Sequence, residues 1–223
     1  MRGTGGRGGV AMIVKVCGVR TAEVAEAAVT AGADWIGLVF EPRSPRNATD
    51  AEARSVVDAV GRHADLIGVF VEPDAATCHD AAARYGLAAV QVHGEVQRDF
   101  VTECDVPVIR GLNVATRAEA LTEQWWPDLL ILLDSSAGAG QLPGGTGRRI
   151  DPSWAAEVAR HRRVVLAGGI GPNDVAAAIG AVRPFGVDAS SRLESEPGVK
   201  DVERVRTYVR AARAAFAVLS DDG

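Results

Sequence analysis

Short continuous apolar runs alternate along the chain with stretches in which apolar and polar positions follow a helical period. The runs are IVKVC (13–17), DWIGLVF (34–40), LIGVFV (66–71), AAVQVH (88–93), VPVIRG (106–111), DLLILLD (128–134), RVVLAGG (163–169) and FGVDAS (185–190). Between them lie amphipathic segments with helix punctuation. TAEVAEAAVTAG (21–32) closes on Gly32, a second helix starts at Asp50, a third opens near Pro73 and Asp74, and the last spans about 201–219. A strand that is apolar on both faces belongs in a parallel sheet covered by helices. Eight strand–helix units with no composition break between them match a closed (β/α)8 TIM barrel in the α/β class. An open flavodoxin-like sheet would need fewer strands.

The 223 residues suit one domain, expected over 12–219, with a tail at 220–223. Residues 1–11, MRGTGGRGGVA, read as a flexible Gly/Arg-rich extension without the apolar stretch of a secretory signal. Gly3, Gly5 and Gly8 there match the spacing GxGxxG, but a dinucleotide fingerprint follows a strand and opens a helix, and this one precedes the first strand. Hydrophobic residues make up 47% of the chain and aromatics only 5%, which favours small side chains packed between helices and strands. The net charge of -5 argues against nucleic acid as a partner. No apolar run approaches the ~18 residues of a membrane span. Cys17, Cys78 and Cys104 are odd in number and form no CxxC, so a reducing, cytoplasmic setting is expected rather than a disulfide framework. No feature demands more than a monomer.

In such a barrel, chemistry collects at the C-terminal strand ends. Cys17 and Asp134 end the first and sixth runs and face each other across the mouth. A thiol can act as a base near neutral pH if partly ionised, and a buried carboxyl can act as the opposing acid. Alone, Cys17 would read as a small core filler and Asp134 as a cap; together at strand ends they read as an acid–base pair. Lys15 shares the face of Cys17 and could favour its thiolate. Three segments could offer backbone N–H groups to a phosphate: Gly144, Gly145, Thr146 and Gly147; Gly168 and Gly169; and Ser190 with Ser191. Arg43 and Arg46 in EPRSPR are either carboxylate ligands or a solvated pair. Gln91 and His93 share one face of the fourth strand and are expected to line the pocket. His63, His79 and His161 point to no site, and no His, Cys or Asp cluster has metal-ligand spacing.

The motifs VKVCGVR, GLVFEPRSPR, IGVFVEP, VQVHGE, ILLDS, GGTGR, LAGGIGPNDVAAAI, GVDASS and PGVKD follow one another in this order. Together, over about residues 13–209, they resemble the phosphoribosylanthranilate isomerase family. The resemblance implies an Amadori rearrangement of N-(5'-phosphoribosyl)anthranilate to 1-(2-carboxyphenylamino)-1-deoxyribulose 5-phosphate in tryptophan biosynthesis. That is an intramolecular aldose–ketose oxidoreduction needing no cofactor. It implies Asp134 as general acid, Cys17 as general base, Arg46 as ligand of the anthranilate carboxylate, and the Gly and Ser segments as the phosphate cradle.

The sequence departs from the family pattern at Arg192, where glycine follows the two serines, and less sharply at Val24, where an acidic residue often sits. An arginine does not adopt positive φ easily, so Arg192 is expected to crowd the phosphate or to add a contact to it, lining the pocket in either case. It motivates an alternative substrate, a modified N-phosphoribosyl arylamine. A non-catalytic sugar-phosphate barrel would need neither Cys17 nor Asp134, and a ribulose-phosphate epimerase would want metal-binding strand ends.

Overall fold

The computed structural model describes residues 12–97, 99–114, 118, 129–135 and 151–221. Eight parallel strands close on themselves: β1 Ile13–Cys17, β2 Trp35–Val39, β3 Asp65–Val71, β4 Ala89–His93, β5 Val108–Val114, β6 Leu130–Ser135, β7 Val164–Leu166 and β8 Gly186–Ala189. Each pairs with the next, and β8 returns to β1 with Lys15 opposite Asp188. The described helices are α1 Ala22–Ala31, α2 Asp50–Val60, α3 Ala75–Tyr85, α4 Phe100–Glu103, α5 Pro152–His161, α6 Val175–Val182 and α7 Val202–Asp221. The closed barrel expected from the apolar runs is the architecture observed. Among the described residues no helix is long and apolar enough to cross a membrane.

Local sequence explains the helix boundaries. Thr21 caps α1 by accepting from the Val24 N–H, and Gly32 ends the helix at φ 105°, a left-handed conformation that costs glycine little. Thr49 and Glu52 form a reciprocal capping box at the start of α2, and Asp74 caps α3 by accepting from Thr77.

Alternation along each strand sends one set of side chains into the barrel and the other toward the helices. The inward set packs Trp35, Ile67, Ala89, Ile109, Leu132, Val165 and Ala167 into a plug across the barrel. The outward set, including Val14, Val16, Ile36 and Leu38, joins Ala25, Ala28, Val56, Ile179 and Tyr208 in the layer beneath the helices. The plug seals the barrel, so any cavity lies above it, at the C-terminal mouth.

Some boundaries differ from the sequence expectation. The fifth strand runs on through Val114, and the seventh stops at Leu166 because Gly168 and Gly169 take φ of 85° and 67°, outside strand geometry. Helix α7 continues to Asp221. The periodicity also gave no hint of the turn of 3-10 helix Ser191–Leu193 and the antiparallel hairpin of β9 Glu194–Glu196 and β10 Val199–Lys200 that follow β8. These strands are too short to show an alternation.

Candidate active site

A cavity of about 190 Å³ opens at the mouth, walled in part by Cys17, Val39, Arg46, Gln91, His93, Asp134, Asp188 and Ser190. Cys17 at the end of β1 and Asp134 near the end of β6 are both buried and both reach it. Space for the sulfur comes from Gly37 on the neighbouring strand: a Cβ built there would lie 2.8 Å from Cys17 Sγ.

Lys15 is fully buried beneath the cavity, with Nζ 3.0 Å from Asp188 Oδ2. Burial disfavours its cation, but Asp188 and Cys17 more than offset this and hold its pKa above the ordinary value. The expected help to Cys17 is therefore divided, because the lysine charge is already answered by Asp188. Burial pushes the Cys17 thiol up, Lys15 pulls it down, Asp188 pushes it up again, and Lys200 pulls it down; the sum is upward. Cys78 and Cys104 are buried free thiols with no such company of lysines, and burial beside Cys104 pushes Cys78 up to about 12. The bland reading of a buried cysteine suits these two; Cys17 differs by its ionic surroundings and its cavity.

On β4, the Gln91 amide donates to His93 Nε2 at 2.7 Å, which leaves that nitrogen as an acceptor on a neutral ring. Burial, with Lys15 and Arg110 nearby, lowers the His93 pKa to about 3. His93 is thus a neutral wall of the cavity. Its ring occupies the space that a side chain at Gly111 would fill, since a Cβ there would come within 2.4 Å of it.

The two arginines of EPRSPR separate cleanly. Arg43 stays at the surface and pairs with Glu41 at 2.7 Å. Arg46 turns inward, its Nε 2.7 Å from Glu194 Oε1 and its Nη2 2.8 Å from Glu194 Oε2. Glu194 also accepts from Lys200 Nζ at 2.5 Å and from the Gly198 N–H at 3.2 Å. Lys200 reaches Ser190 Oγ at 3.3 Å, and that hydroxyl donates to the Cys17 carbonyl at 3.1 Å. Burial raises the Glu194 pKa, but Arg46 and Lys200 outweigh it, so the carboxyl is held below its usual range.

Of the expected phosphate segments, Gly144, Gly145, Thr146 and Gly147 lie outside the described residues. Ser190 lines the mouth cavity; Gly168 instead borders a separate space of about 220 Å³ with residues of α5 and α6. Ser191 and Arg192 line a larger groove of about 590 Å³, with Gly171, Asp174, Asp201 and Arg204 among its other walls. That groove lacks the thiol and carboxylate pairing of the smaller cavity, so size does not mark the chemistry. Arg192 is exposed and lines this groove beside Ser191 rather than the mouth cavity. Its φ is not positive, in keeping with the reluctance of arginine to adopt that region: the described non-glycine residues with positive φ are Glu72 and Arg183. Gly171 makes the room, because a Cβ there would sit 2.9 Å from Arg192 Cβ. Val24 is buried in α1 and touches none of this.

Sequence reasoning missed Asp188, Glu194 and Lys200. Asp188 carries a signal in hindsight, a carboxylate at the third of four positions in an apolar strand, two residues before Ser190 and so on the same face. Glu194 meets Arg46 across 148 residues of chain, a proximity only the fold creates, and Lys200 joins the pair through Glu194.

A closed parallel barrel with a buried thiol and a buried carboxylate walling one cavity at its C-terminal mouth has the architecture of a barrel enzyme. The family model described as N-(5'phosphoribosyl)anthranilate (PRA) isomerase matches residues 14–211. The chain is 38% identical over 206 residues to N-(5'-phosphoribosyl)anthranilate isomerase of Desulforudis audaxviator, covering 92% of this chain and 99% of that one. To the Roseiflexus sp. protein of that name it is 41% identical over 212 residues, covering 91% and 98%. The phosphoribosyl anthranilate isomerase structure from Thermotoga maritima superposes with a TM-score of 0.84 at 32% identity, over 92% of this chain and 100% of that one. A similar isomerase structure, with TM-score 0.81, 30% identity and the same two coverages, holds reduced 1-(o-carboxyphenylamino)-1-deoxyribulose 5-phosphate. The chain belongs to the phosphoribosylanthranilate isomerase family, and it is an isomerase.

Proposed function

We propose that this chain carries out the Amadori rearrangement of N-(5'-phosphoribosyl)anthranilate with Asp134 as acid and Cys17 as base. The observation that carries the assignment is that these two buried groups, from β1 and β6, wall one cavity with Arg46 at its rim. Asp134 protonates the furanose ring oxygen, the C1'–O bond breaks, and the substrate nitrogen lone pair forms the iminium. The positive nitrogen makes the C2' hydrogen acidic. Cys17 thiolate removes that proton, the C–H electrons form the enolamine, and its tautomerisation gives the aminoketose. The substrate nitrogen is the electron sink, so the aldose–ketose oxidoreduction is internal and calls for no cofactor. The arriving iminium charge favours the thiolate that burial disfavours in the free protein.

Arg46 supplies a planar fork for the anthranilate carboxylate. Phosphate is assigned to the Ser190–Ser191 turn together with Gly168 and Gly169, whose positive φ suits close backbone approach, and with Gly144, Gly145, Thr146 and Gly147. Arg192 lines the neighbouring groove, and among the described residues no cavity wall favours a modified arylamine. Three buried free thiols suit a cytoplasmic location.

The test is a fluorescence time course of substrate consumption by the protein, Cys17→Ala and Asp134→Asn. Each substitution is expected to lower kcat by about 10²–10⁴. Unchanged turnover in either variant would remove that residue from the mechanism.

A further inference from the structure

The hairpin of β9 and β10 places a carboxylate on the residue assigned to bind a carboxylate. Glu194 is buried and takes the Nε and Nη2 hydrogens of Arg46 side-on, at 2.7 and 2.8 Å. A guanidinium has a second fork, formed by Nη1 and the outer hydrogen of Nη2, which this geometry leaves unused by Glu194. The Arg46 stem is fixed as well. It packs on Gly18, where a Cβ would come within 2.9 Å of Arg46 Cδ, and its backbone N–H donates to Ser44 Oγ at 3.2 Å. Two further groups keep Glu194 from moving: Lys200 Nζ at 2.5 Å and the Gly198 N–H at 3.2 Å. Gly198 in turn fits against the loop that carries Arg46, for a Cβ there would meet the Pro45 carbonyl at 2.2 Å.

We propose that Glu194 is a positioning residue for substrate selection: it holds Arg46 side-on so that the remaining guanidinium fork is aimed into the cavity at an arylamine carboxylate. This rests on the reading of Arg46 as the carboxylate ligand. Orienting a long, rotamer-rich side chain before binding removes an ordering cost from the binding step, which improves affinity for the carboxylate without touching the reacting carbon. Lys200 completes the device. With Arg46 it gives Glu194 two cations, so the carboxylate stays charged when a second carboxylate approaches the other side of Arg46.

The experiment compares two substrates, N-(5'-phosphoribosyl)anthranilate and the N-(5'-phosphoribosyl)aniline that lacks the carboxylate, on the unmodified protein, Glu194→Gln and Arg46→Lys. For Glu194→Gln the expected result is a KM for the anthranilate substrate raised about ten-fold or more, with kcat falling by less than about three-fold and little change with the aniline substrate. Arg46→Lys should erase the preference for the carboxylated substrate. If Arg46→Lys erases it and Glu194→Gln does not weaken it, the positioning role is overturned while Arg46 keeps its assignment. If Arg46→Lys leaves the preference intact, the assignment of Arg46 fails, and the inference with it. Glu194→Gln leaves Lys200 buried without a carboxylate, so Glu194→Gln/Lys200→Met is measured beside it, with far-UV circular dichroism to establish folding. Equal losses on both substrates in the folded double variant would mark Glu194 as a staple of the hairpin only, and overturn the proposal.

Discussion

Inside the mouth, a histidine that stays neutral until about pH 3 ties the stability of the whole chain to pH. His93 has its pKa lowered to about 3 by burial and by Lys15 and Arg110, against an ordinary value of 6.5. The unfolded chain binds a proton at this residue below pH 6.5 and the folded chain does not until about pH 3, so stability falls as pH falls through that window. Between pH 6.5 and 4.5 the loss is about 2–3 kcal/mol. His93→Gln should remove that slope, read as the difference in unfolding free energy between the two proteins across those pH values. Parallel pH curves would show that the ring is not held neutral. At this scale the sequence told a good deal. Cys17, Gln91, His93 and Asp134 could be placed at the mouth because strand alternation and strand ends are local properties. Arg46 was found, but its partner was not. The turn of 3-10 helix and the hairpin bring Glu194 and Lys200 back over the mouth, and nothing within a few residues of either encodes that return.

At the level of elements, strands and helices place glycine under opposite demands. Gly37 on β2 faces the barrel interior opposite Cys17, and a Cβ there would sit 2.8 Å from the sulfur and 3.1 Å from the Cys17 Cα. The backbone atom cannot yield, so Gly37→Ala is expected to cost about 1–3 kcal/mol in stability and to displace the thiol. A drop in kcat/KM of about ten-fold or more should accompany it, given the sensitivity of acid–base catalysis to small misplacements. Gly180 in α6 meets nothing within 4 Å and is expected to stabilise by about 0.5–1 kcal/mol when changed to alanine. Urea midpoints for both variants check the pair, and a neutral Gly37→Ala would mean that β2 does not press on Cys17 as described. The element order and most boundaries were readable because apolar runs and caps are also local. The end of β7 was not, since LAGG continues the apolar pattern while the positive φ of Gly168 and Gly169 has already turned the chain.

For the molecule as a whole, the two ends of the barrel have separate work, and the stabilising end can be tested without touching the other. The seam where the chain closes on itself lies between β1 and β8, with α7 packed over it against α1 and α6. Arg213 of α7 ties that helix to the start of β1 and to the turn between α1 and β2, at the end of the barrel away from the cavity. Its Nε donates to the Gly32 carbonyl at 2.8 Å, Nη1 donates to the Met12 carbonyl at 3.0 Å, and Nη2 pairs with Asp34. Asp34 Oδ2 also accepts from the Val14 N–H at 2.7 Å, so one guanidinium joins the last helix, the end of the first helix and the start of the first strand. Charge-assisted bonds to backbone carbonyls stabilise by about 1.5–3 kcal/mol when their loss leaves acceptors unanswered, and partial exposure of Arg213 places the expected cost near the lower figure. Arg213→Met should therefore lower the urea midpoint with an unchanged denaturant slope, while kcat and KM on N-(5'-phosphoribosyl)anthranilate stay as they were. A lowered midpoint with altered kinetics would show that closure of the barrel is coupled to the geometry of the mouth. An unchanged midpoint would show that strand pairing between β1 and β8 closes the barrel without the arginine. The expected separation follows from the plug of Trp35, Ile67, Ala89, Ile109, Leu132, Val165 and Ala167, which stands between the two ends and is packed too tightly to pass on a small shift at the seam.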